Sequence, residues 1–253
     1  MSSLTIGLIS AASIFGGSLL GMGLQRLLPG HHLSKETQDV VKLSAGTIAT
    51  LTALVLGLLV SSAKSSFDTM NTGVVQNGAK IILLDRTLAR YGPEAKPARE
   101  QLKRSTAAGI EAVWPTQKTG VPALTALERA NGVELVQDKL RELAPQTDVQ
   151  RQLLAQAQQI TGDLTQTRWL LLEEAQTQLP ASLLVILVFW LTLLFVSFGL
   201  FAPTNATALT VLGVGACAIA AAIFLVLELN QPLGGIIKIS SAPLVNALQH
   251  LGQ

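Results

Sequence analysis

Charged side chains are absent from three long blocks of the chain. None occurs before Arg26, none between Leu43 and Ala63, and none from Ala175 to Leu227. A helix needs roughly 20 mainly apolar residues to cross a bilayer core about 30 Å thick. The first two blocks hold one span each. The third holds two, with Pro203 and Asn205 supplying the turn between them. The predicted spans are Leu4–Leu24, Leu43–Ala63, Pro180–Phe201 and Ala206–Leu227. Lipid offers no partner to a backbone N–H or C=O, so each span is predicted to be helical.

The first block is rich in glycine, and Gly17-Ser18-Leu19-Leu20-Gly21 has the GxxxG spacing that lets two helix backbones approach closely. No basic residue precedes it, so it is expected to be a retained helix and not a cleaved leader. Pro29-Gly30 then signals a turn. Ser34 is placed to cap a helix with Glu36 in its first turn, running through Val40 and Val41 into the second span without a break. Ser44, Thr47, Thr50, Thr52, Ser61 and Ser62 give that helix a series of hydroxyls. Such groups bond their own backbone, bridge helices or line water, and the sequence leaves these alternatives open.

Past the second span the pattern changes to amphipathic periodicity. Ile81, Leu84, Leu88 and Tyr91 form one helical stripe, and Leu153, Ala157, Ile160, Leu164 and Leu171 form another. Tyr91-Gly92-Pro93 ends the first of these helices. Further helices are predicted over Glu94–Val113, over Ala123–Leu143 with a break at Asn131-Gly132, and from Asp148 toward a kink at Pro180. Asn77-Gly78 has the composition of a hairpin turn, but the unalternating Ile81-Ile82-Leu83-Leu84 favours helix. The last segment carries a Pro-Gly-rich turn at Asn230–Gly235. It then has a short helix capped by Ser241, whose face of Leu244, Val245, Leu248 and Leu251 suits a membrane surface or a partner helix.

The fold class is therefore all-α: a four-transmembrane-helix membrane protein with a helical water-soluble insert between the second and third spans. The organisation is residues 1–64 as a first transmembrane hairpin, 65–179 as the soluble insert, 180–229 as a second hairpin and 230–253 as an amphipathic tail. Composition agrees, since only 13% of the 253 residues are charged against about 25% in soluble domains. Between residues 65 and 179 the 13 Lys/Arg and 13 Asp/Glu balance. With a net charge of +2 and no basic run, nothing marks a nucleic-acid partner.

Candidate chemistry is sparse. There is no phosphate-binding glycine loop, HExxH, CxxC or GxSxG, and no convergent set of acid, base and nucleophile, so no catalytic, cofactor-binding or metal site is assigned. His31-His32 is a solvated pair, and Cys217 is read as a small packing residue inside the fourth span. Three charges border the membrane. Lys64 and Asp68 lie one turn apart at the end of the second span, as an i,i+4 pair or as rings at a pore mouth. Glu228 closes the fourth span as an interfacial anchor, as part of an ion pathway, or as a partner of Lys64 or Lys238. The candidate pore or gate residues are Ser44, Thr47, Thr50, Ser61, Ser62, Lys64, Asp68 and Glu228.

His31-His32-Leu33-Ser34 through Asp39-Val40-Val41, and Ala53 through Lys64, carry a family resemblance. So do Ile82-Leu83-Leu84-Asp85-Arg86, Tyr91-Gly92-Pro93-Glu94-Ala95, Leu227 through Pro232, and Ile239-Ser240-Ser241-Ala242-Pro243-Leu244. In these ordered motifs the chain resembles the bestrophin-like domain family of bacterial integral membrane proteins, whose name records a distant similarity to bestrophins, which are pentameric anion channels. The resemblance implies a homo-oligomeric channel for small anions in the cell (inner) membrane. The second helix, with its hydroxyls, is the expected conduit lining, and it is expected to continue into the water-soluble helices as a vestibule. The competing expectation is a membrane-anchored interaction or sensor protein whose insert binds a partner protein. Lys64, Lys80, Arg168 and Lys238 against Arg26, Lys35 and Lys42 tilt the positive-inside balance toward termini and insert in the cytoplasm.

Overall fold

A computed structural model describes residues 2–115, 125, 131–176 and 181–253. The described residues are helical, with eight α-helices among them: α1 (Ser3–Leu27), α2 (Lys35–Tyr91), α3 (Lys96–Val113), α4 (Gly132–Arg141), α5 (Asp148–Gln176), α6 (Ala181–Phe201), α7 (Ala206–Leu229) and α8 (Ala242–His250). Four of them, α1, α2, α6 and α7, are long and apolar enough to cross a membrane. The chain is an integral membrane protein. It divides into two compact units, residues 1–65 with 178–230 and residues 66–177 with 231–253.

In the first unit α1 packs against α6 and α7. Its buried positions, Gly7, Ser10, Ile14, Gly17 and Gly21, recur every three or four residues and form one seam. The GxxxG glycines meet α6: a Cβ at Gly17 would stand 2.8 Å from the Thr192 carbonyl oxygen, and one at Gly21 would collide with the Val196 carbonyl. Gly199 returns the contact against Ser18, so backbone meets backbone from both sides. Ser10 and Ser18 stay buried in this seam by donating to Ile6 O and Phe15 O of their own helix, at 2.9 and 2.6 Å. Asn205 caps α7, its Oδ1 accepting from Ala208 N at 2.8 Å. Cys217 is exposed on α7 and is not among the residues its own chain buries, unlike its reading as a packing residue.

The helix that enters the second span does not stop there. It continues for 57 residues, about 85 Å at 1.5 Å per residue, and supplies the insert's first helix as well. Thr37 N donates to Ser34 Oγ at 3.4 Å at its start. There Glu36 is held below the usual carboxylate range, first by a backbone hydrogen bond and then by Ser34. Its far end is set by Gly92, at φ 130°, with Pro93 behind it. Asn77-Gly78 lies within the helix. Gly78 is required there by packing and not by a turn, because a Cβ would come within 2.8 Å of the Pro243 carbonyl oxygen.

The second unit buries Leu84, Leu88 and Tyr91 of α2 with Ala98 and Leu102 of α3, Val136 and Leu140 of α4, and Ala157, Ile160 and Leu164 of α5. Both predicted stripes contribute to its apolar clusters. α4 starts at Gly132, where the break was expected, and a Cβ there would meet Ser105 Cβ at 2.8 Å. The predicted helical stretch 123–130 apart from residue 125, and the kink at Pro180, lie outside the described residues. Ser241 precedes α8 but makes no side-chain cap bond; its carbonyl accepts from Leu244 N and Val245 N, while Ser240 Oγ accepts from Ala242 N at 3.1 Å. The apolar face of α8 is used within this unit. Leu251 is buried in the main cluster and Leu248 packs on it, so the tail is a core element and not a free amphipathic face.

Two ion pairs organise the second unit. Asp85 is buried and takes both Arg99 Nε and Nη2 at 2.8 Å. This hydrogen bond to Asp85 raises the Arg99 pKa above its ordinary value. Arg168, also buried, donates to Glu134 Oε1 at 2.8 Å and so ties α5 to α4. Trp114 Nε1 donates to Ile239 O at 2.9 Å and anchors the segment that leads into α8.

Candidate functional site

Helix α2 is asymmetric over its whole length. Ala45, Thr52, Leu59, Ala63, Met70 and Val74 are buried along one side. On the opposite side, Leu43, Thr47, Thr50, Leu54, Gly57, Ser61, Ser65, Asp68, Thr72, Val75, Ala79, Leu83, Arg86 and Arg90 are all exposed. These positions follow one another in steps of three or four, the spacing that keeps residues on one face at about 100° per residue. One face of the helix is thus left exposed in the first unit, and one likewise in the second.

The composition of this face is unlike that of the other spans. α6 exposes Val185, Ile186, Phe189 and Phe198, and α7 exposes Val211, Val214 and Leu225, the large apolar side chains suited to lipid. The α2 face mixes Leu43, Leu54, Val75 and Leu83 with hydroxyls, glycine, alanine and charges, and it carries no aromatic ring. Small and polar residues in a span mark helix–helix contact or a wet surface, not acyl chains.

The candidate residues separate on this frame. Thr47, Thr50, Ser61 and Asp68 lie on the exposed face, with Lys64 at its edge. Ser44 and Ser62 are exposed but sit about 100° round the helix, toward the buried side. Thr52 is buried and donates to Ile48 O at 2.7 Å. Thr47 and Thr50 donate to Leu43 O and Gly46 O at 3.2 and 3.0 Å, so each turns its oxygen lone pairs outward and keeps its hydrogen on the helix. Glu228 is buried at the end of α7, where its carbonyl accepts from Asn230 N. Lys64, Asp68 and Glu228 are each engaged in interactions.

The second helix was expected to continue past the membrane, but the residues that carry its exposed face there, Thr72, Val75, Ala79, Leu83, Arg86 and Arg90, were not singled out. Their spacing by three and four was the available signal. Arg86 Nη1 donates to Gln253 O at 3.0 Å at this end of the helix. Among the described residues no group of three or more His, Cys, Asp or Glu side chains converges on a metal position. His31 and His32 lie with ring centroids 4.1 Å apart on an exposed turn.

Comparison with known proteins bears on the same architecture. A family model described as a Bestrophin-like domain matches residues 12–244. No curated protein matches the sequence. Among solved structures, the crystal structure of a bacterial bestrophin homologue from Klebsiella pneumoniae, carrying a point mutation, is similar with a TM-score of 0.66 at 15% identity, over 100% of each chain. At that identity the likeness is one of fold.

Proposed function

The chain belongs to the Bestrophin-like domain family, and on that premise we propose that it is a homo-oligomeric channel conducting small anions along the exposed face of α2. The observation that carries this reading is the exposed face of α2, which within the span sets Thr47, Thr50, Gly57 and Ser61 among its leucines, where α6 and α7 expose mainly large apolar side chains. One helix face cannot enclose a conduit. Copies arranged around an axis bring such faces together, and pores can be lined by hydroxyls, charge rings and apolar constrictions contributed by each subunit. The charge on the face favours anions, with Lys64, Arg86 and Arg90 against Asp68. Thr47 and Thr50 offer anions little as they stand, since their hydrogens are held by the helix. Ser61 and the cationic residues are the better candidates for anion contact, and Leu54 with Gly57 for a dry, narrow stretch. Termini and insert are placed on the cytoplasmic side.

The test is anion flux into liposomes holding the purified protein, with Ser61→Cys and Val185→Cys introduced on a Cys217→Ala background, since Cys217 is itself exposed, and treated with a charged thiol reagent. Modification at Ser61 is expected to cut flux at least fivefold, and modification at Val185 to leave it unchanged. Lys64→Glu is expected to move the anion-to-cation permeability ratio toward cations. An inserted, folded protein with no flux and an unreactive Ser61→Cys would refute the reading and favour a membrane-anchored interaction protein.

A further inference from the structure

The second unit contains a partly open apolar pocket of about 160 Å³ lined by residues of α2, α3, α4, α5, α8 and the segment before α8. Its wall includes Ile81, Ile110, Val136, Leu164 and Leu171, with Trp114 at one end. A pocket of this volume accommodates a single aromatic ring; an engineered cavity of about 150 Å³ takes benzene.

Two details of the wall define the occupant. Gly109 lines the cavity from the middle of α3, and a Cβ built there meets nothing within 4 Å. A helix-interior glycine facing open space contributes volume to the cavity at a cost in helix propensity. Asn77 also lines the cavity, and its Oδ1 is buried with no hydrogen-bond partner, so a small turn of the amide would let it accept from a ligand. Arg168 is on the wall too; its Nη1 donates to Glu134 Oε1 at 2.8 Å, while its buried Nε makes no hydrogen bond and can donate to a hydroxyl oxygen of the guest. The charge at that point is compensated, which favours a neutral guest over an anion.

We propose that this cavity is a binding site for a compact, neutral molecule about the size of one aromatic ring and bearing a single hydrogen-bond donor. The site is independent of conduction, being formed within one unit of one chain. The experiment uses phenol as the probe and the full-length protein in detergent. Intrinsic fluorescence, with Trp114→Phe as the control for its origin, and the melting temperature are the readouts. Phenol is expected to give a saturable change in Trp114 emission and a rise in melting temperature, and to bind at least threefold more tightly than toluene. Gly109→Leu fills the cavity and is expected to raise the melting temperature in the absence of phenol while abolishing the response to it. That gain in stability separates a filled cavity from a misfolded variant. No saturable response in the wild-type protein, or a response in a stably folded Gly109→Leu variant equal to that of the wild type, overturns the proposal, as does equal affinity for phenol and toluene.

Discussion

Replacing Asp85 by alanine removes the acceptor at the centre of the second unit, and the structure sets the size of the effect. Asp85 is 1% exposed and receives three hydrogen bonds, two from Arg99 at 2.8 Å and one from Gly252 N at 3.3 Å. Removing one member of a buried ion pair costs about 3–5 kcal/mol, mostly because the other charge is stranded. Here the Arg99 side chain is 22% exposed, so water recovers part of that penalty, and a loss of about 2–3 kcal/mol is the better figure. Asp85→Asn keeps an acceptor and should cost about 1–2 kcal/mol. Hydrogen exchange on the detergent-solubilised protein reads the effect locally. Amides of α3 and the last turns of α2 should exchange roughly 30- to 150-fold faster in Asp85→Ala, at 1.4 kcal/mol per factor of ten. Arg99→Ala should weaken the same amides, and the double variant should be less damaged than the sum of the two. The pKa of Arg99 is raised by its bond to Asp85. A group whose folded pKa is raised contributes stability that is complete below its unfolded pKa and is lost only as pH rises through the folded one. For a guanidinium that window lies at extreme alkaline pH, so the Arg99 contribution should not vary between pH 6 and 9. Exchange in Asp85→Ala within threefold of wild type, or an additive double variant, would refute the argument.

Two further outcomes test the packing. Gly78→Val should loosen the α8 segment by about 1–3 kcal/mol, because its Cβ meets the Pro243 carbonyl oxygen at 2.8 Å. It should be read as faster exchange in α8; a stabilised variant, as expected at an exposed helix glycine, would show the contact to be wrong. Gly21→Leu should lower the thermal stability of the first unit by forcing α1 from α6, whereas Gly16→Leu and Gly23→Leu, with nothing within 4 Å of either Cβ, should be neutral or stabilising in the same melt.

The sequence alone determined the membrane spans, because lipid excludes charge over about 20 residues regardless of what the rest of the chain does. It also determined the apolar stripes of the insert, since Leu84, Leu88, Ile160 and Leu164 state their helical face by spacing. Helix ends marked by local chemistry, at Ser34, Tyr91-Gly92-Pro93 and Asn205, were legible for the same reason. The continuation of the second helix beyond the span was also expected, and α2 runs through the change of composition at Ser65 because backbone hydrogen bonding does not change there. Glycine was ambiguous in sequence and became specific only in three dimensions. Gly78 has the signature of a turn but is a contact, Gly21 is a backbone crossing, and Gly109 faces a cavity. The candidate site was legible as a list of hydroxyls and charges and not as a surface. Which of Ser44, Thr47, Thr50, Thr52, Ser61 and Ser62 faces outward depends on which side of α2 its own chain covers, and that is a property of tertiary packing that no local pattern contains.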